Sequence, residues 1–109
     1  MGNVIYEKKE FCIIQMNHHE FIVLNRNKEF KCGHTHINNY NTAKHILNLA
    51  VHESIPHHLS LYLLTSLVRI SANKNYQDKI EALLHEKKSH SKQNYRNVAV
   101  KRQISAYGC

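Results

Sequence analysis

Acidic residues stop early in this chain. All eight of them, Glu7, Glu10, Glu20, Glu29, Glu53, Asp78, Glu81 and Glu86, lie at or before position 86. The segment from Lys87 to Cys109 contains none, yet it holds Lys87, Lys88, Lys92, Arg96, Lys101 and Arg102. Of the formal net charge of +7, six therefore belong to that segment, and the remainder carries nine basic against eight acidic residues.

Other absences narrow the field. One proline and three glycines are too few to break up a 109-residue chain, and 42% hydrophobic with 21% charged residues is an ordinary globular balance, so one folded domain is expected and not two. No apolar run approaches the roughly 18 residues of a membrane helix, and "MGNVIYEKKEF" lacks the apolar segment of a secretory signal. A cytoplasmic protein is the expectation. Cys12, Cys32 and Cys109 are odd in number and not closely paired, which predicts thiols in a reducing compartment. Nucleophile elbow, P-loop and H-E-x-x-H motifs are all missing, so the chain is read as a non-enzyme.

What is present reads as strands followed by helices. "FCIIQM" (11–16), "FIVL" (21–24) and "EFKC" (29–32) are rich in β-branched and aromatic residues and are separated by the turn-like "NHHE" and "NRNK". They predict a three-stranded antiparallel β-meander. In "NTAKHILNLAVHES", Asn41 or Thr42 suits an N-cap, and Ala43, Ile46, Leu47 and Ala50 share one face. Pro56 suits the first turn of a second helix over 56–71, whose apolar arc of Leu59, Leu63, Leu67 and Ile70 makes it the buried central one. Its polar remainder is a stripe of His58, Tyr62, Thr65 and Arg69. "YQDKIEALLHEKK" predicts a third helix with Tyr76, Ile80, Leu83 and Leu84 inward. The fold class is α+β, with helices covering one face of a small sheet. The compact domain is expected over 1–88, followed by a basic, flexible arm over 89–109.

Two constellations carry chemistry. In "KCGHTHINNYN" (31–41), a strand running on through the motif would align Cys32, His34 and His36 on one face, a donor set suited to zinc. The bland reading is a strand-to-helix junction broken at Gly33, with the imidazoles as polar closure. "GHTH" (33–36) is similar to the last metal-binding motif of calcineurin-like metallophosphoesterases, and "NHHE" (17–20) to that family's Asn-His-acid motif. The resemblance implies metal contacts at Asn17, His34 and His36. It covers eight residues, and the family's Asp-x-His and Gly-Asp motifs are absent.

The second constellation is the basic arm. Lys87, Lys88, Lys92, Arg96, Lys101 and Arg102 suit phosphate contacts, Tyr95 suits base stacking, and Arg69 and Lys74 extend the set onto the body. The second and third helices have the layout of a helix-turn-helix, but Asp78 and Glu81 on the third would repel phosphates. The leading expectation is a nucleic-acid-associated regulator from a low-GC bacterium or phage, a source that the AT-rich-codon residues Asn, Lys, Ile and Tyr suggest. Its partner is nucleic acid or an acidic protein surface. Alternatives are a protein-binding inhibitor or adaptor, and a zinc-stabilised domain. Open sheet edges would also permit a homodimer.

Overall fold

The computed structural model describes residues 2–91, and of 89–91 the backbone alone. Four strands, β1 (Asn3–Lys8), β2 (Phe11–Asn17), β3 (Glu20–Asn25) and β4 (His34–Ile37), precede three helices, α1 (Tyr40–His52), α2 (Leu61–Ile70) and α3 (Lys74–Ser91). The strands form one antiparallel sheet in the order β1-β2-β3-β4. The α+β class holds, with four strands where three were expected.

The alternation of a pleated strand decides which residues enter the core. Phe11 and Ile13 of β2, Phe21 and Val23 of β3, and Ile37 of β4 meet Ala43, Ile46, Leu47 and Ala50 of α1 in one cluster. Leu64, Leu67, Val68 and Ile70 of α2 and Tyr76, Ile80 and Leu84 of α3 complete it. The α1 residues are the expected ones, whereas in α2 the core takes Leu64 and Val68 beside Leu67 and Ile70, and the expected Leu59, Leu63 and, on α3, Leu83 are only partly buried. The intervening residues, Cys12, Ile14, Ile22, Leu24, His34 and His36, point to the other face, in the register Ile14 opposite Ile22 opposite His36 and Cys12 opposite Leu24 opposite His34.

Three boundaries differ from the sequence reading, each for a local reason. "EFKC" is not a strand: Cys32 and Gly33 N–H both donate to the Glu29 carbonyl, at 3.0 and 2.9 Å, closing a turn. Gly33 suits that turn because a Cβ there would lie 2.6 Å from Lys28 Cβ. The last strand is "HTHI" instead. α1 is capped by Asn39 rather than Asn41 or Thr42, its side chain accepting from the Thr42 N–H at 3.0 Å. α2 starts at Leu61 and not at Pro56, because His58 has the left-handed φ of 62° and Ser60 provides the cap for Leu63 N–H at 3.2 Å.

α3 is launched by Asn73, whose Oδ1 accepts from the N–H of Asn75 at 2.9 Å and of Tyr76 at 3.3 Å. The Tyr76 hydroxyl then donates to the carbonyls of Ser54 (2.6 Å) and Leu49 (3.2 Å), and burial holds its phenol in the protonated form. The helix continues to Ser91. Among the described residues no helix is long and apolar enough to cross a membrane.

Candidate nucleic-acid interface

The polar stripe of α2 faces the free edge of β4. An edge strand leaves a row of carbonyls without ladder partners. Arg69 donates from Nε to the His34 carbonyl at 3.0 Å and from Nη2 to the Lys31 carbonyl at 2.6 Å, and the Tyr62 hydroxyl donates to the His36 carbonyl. Thr35 and Ser66 hydroxyls pair at 2.6 Å in the buried seam between these edge contacts. Arg69, a predicted nucleic-acid contact, thus has two of its N–H directions committed to holding β4 against α2.

A polar knot at the C-terminus of α2 fixes the same region. The last carbonyls of a helix lack intrahelical donors, and side chains supply them here. Buried Asn25 donates to Ile70 at 2.8 Å; Lys28 Nζ donates to Arg69 (2.8 Å) and Ser71 (3.1 Å); Gln77 donates to Ser71 (2.7 Å) and Val68 (3.0 Å). Lysine at this end also opposes the negative pole of the helix dipole. Burial, and then the nearby Arg69 charge, push the Lys28 ammonium below its usual value. Gln77 is turned inward by these bonds, which removes it from the outward face that a recognition helix would offer.

The remaining predicted contacts on described residues lie along α3. Lys74 is highly exposed and pairs with Asp78 at 2.9 Å, one turn on. Lys87 is exposed, and Lys88 is half-buried with its ammonium pushed down by burial. Thirteen positions at 1.5 Å per residue separate Lys74 from Lys87, roughly 20 Å, so the two do not form one patch. Lys87 instead lines a groove with His57, His58, Leu59, Leu83 and Glu86. Lys92, Tyr95, Arg96, Lys101 and Arg102 lie outside the described residues.

The predicted metal donors are not gathered. Cys32 sits half-buried in the turn before β4 and is disulfide-bonded, unlike the expected thiol, whereas Cys12 is a buried thiol. His34 and His36 do share a face, their ring centroids 5.0 Å apart, but His36 Nδ1 pairs with Glu20 Oε2 at 2.9 Å and His34 Nδ1 meets the Phe30 carbonyl at 2.5 Å. Among the described residues no three His, Cys, Asp or Glu side chains converge as a metal site. His36 and Glu20 instead line a cleft with His19, Thr42 and Tyr62.

Sequence reasoning missed the loop residue Phe30 as a displayed ring. Its side chain is 52% exposed and stacks on His34, with centroids 4.1 Å apart and planes 9° from parallel. Phe30 falls in the stretch 29–32 that reads as a strand, so no local signal marked its ring as displayed. The chain matches no family model, no curated protein and no solved structure.

Proposed function

We propose that this chain is a small, non-enzymatic nucleic-acid-associated binding protein, in which an α+β body holds a basic C-terminal segment against the phosphate backbone. The observation that carries this reading is the segregation of charge: six cations and no carboxylate after Glu86, beside a body that is nearly neutral. Polyanions bind such segments by releasing counterions, which needs cations unopposed by neighbouring acids. Lys87, the first cation of that segment, lines a groove on the body together with His57, His58 and Glu86. Arg69 acts in this scheme as a brace for the fold.

The test is a titration of a labelled oligonucleotide at two salt concentrations with the full chain and with a chain cut after Glu86. Strong, salt-sensitive binding by the full chain and its loss on truncation are expected. Equal affinities would remove the arm from the interface, and salt-resistant capture of a protein would favour the adaptor reading.

A further inference from the structure

We infer that the exposed ring pair Phe30–His34 is a stacking platform for an unpaired base, and that the nucleic acid this protein takes is single-stranded. This rests on the nucleic-acid reading above and gives it a second, independent contact.

The helices pack on the face of Phe11, Ile13, Phe21, Val23 and Ile37; on the opposite face Cys12 and Ile22 are buried, Ile14, Leu24 and His34 are half-buried and His36 is exposed. At the β4 end of that face, Phe30 stands half out in solvent with one side of its ring against the His34 imidazole. The pair is held at both ends: His34 Nδ1 meets the Phe30 carbonyl, and Arg69 ties the carbonyls of His34 and Lys31 to α2. A large apolar ring kept in place yet open on one side is a surface prepared for a third ring. His36 continues the row edge-on to His34.

The surrounding charge favours a base over an apolar peptide. The connection from Arg26 to Gly33 holds three cations, Arg26, Lys28 and Lys31, and one carboxylate, Glu29. Arg26 is paired with Glu7 and Lys28 is turned to α2, whereas Lys31 is exposed beside Phe30 and makes no ion pair among the described residues. A cation next to an open aromatic face is the arrangement that takes a phosphate and its base together. Bases in a duplex are already stacked on one another, so only an unpaired one can reach the ring.

The experiment uses the full chain and a mixed-sequence labelled oligonucleotide as single-stranded DNA, single-stranded RNA and duplex. Phe30→Ala should weaken single-strand binding roughly tenfold and leave duplex binding and the salt slope unchanged, while Lys31→Ala should flatten the slope by about 0.7. The chain has six tyrosines but no tryptophan, so Phe30→Trp places the sole tryptophan on the platform, and its emission, excited beyond the tyrosine absorption, should quench as single strand is added. Wild-type affinity in Phe30→Ala with unquenched Phe30→Trp would overturn the platform and leave the arm reading standing. Equal losses on single strand and duplex would also overturn it. Binding of no probe by the wild-type chain would overturn both readings.

Discussion

Arg69 Nε donates to the carbonyl of His34, 35 positions earlier in the chain, at 3.0 Å. With the second bond to the Lys31 carbonyl, one guanidinium closes the β4 edge and anchors the loop that carries Phe30. Its planar fork is what makes both contacts possible from one side chain.

Arg69→Ala should therefore cost about 2 kcal/mol in urea unfolding, the scale of losing charge-assisted bonds in a partly solvated site. Arg69→Lys should recover less than half of that, because a point ammonium cannot reach both carbonyls. A loss below about 0.5 kcal/mol for Arg69→Ala, within the range of an ordinary surface substitution, would contradict the brace role.

Asn25 is fully buried, donates to Ile70 and accepts from the Asn27 N–H at 2.8 Å. Asn25→Ala leaves both partners short and should cost about 2–3 kcal/mol. Asn25→Asp should be worse at neutral pH, since a carboxylate would face the Ile70 carbonyl, and should recover as acid protonates it. Parallel thermal melts at two pH values read both effects.

Lys28 gives a pH signature. Its ammonium is depressed in the folded state, so the folded protein binds that proton less tightly than the unfolded chain does. Stability from this group is then least where both states are protonated and rises as pH climbs toward the free-lysine value of 10.5. The stability advantage of wild type over Lys28→Met, measured by denaturant unfolding, should widen over that alkaline approach. A constant difference would mean that the ammonium is not desolvated.

His58 holds a left-handed φ of 62° two residues before Ser60, the cap of α2. Glycine adopts that conformation without the Cβ penalty, so His58→Gly should raise stability by about 0.5–1 kcal/mol, and His58→Val should lower it. Melting temperatures of the two variants, moving in opposite directions, check the assignment.

The parts of the fold legible in the sequence were those with a strong period. Ala43, Ile46, Leu47 and Ala50, and Tyr76, Ile80 and Leu84, announce α1 and α3 because burial on one helical face demands that spacing. β1 was not legible: it is an edge strand with only Tyr6 half-buried, so little apolar alternation marks it. β4 was displaced because Phe30 and Cys32 look strand-like, while the residues that enter the seam are Thr35 and Ile37. The braces from Asn25, Lys28 and Arg69 join positions 35 to 45 apart, which no local pattern reveals. Of the candidate interface, composition alone exposed the cationic segment, and only coordinates exposed the ring pair.

The most direct measurement is the slope of log K against log salt for a single strand, taken for the full chain and for a chain ending at Ser91. Four cations, Lys92, Arg96, Lys101 and Arg102, are removed by that cut while α3 is kept. If they lie on phosphates, the slope should flatten by about 3. An unchanged slope, with unchanged affinity, would contradict the assignment of the basic segment to nucleic acid.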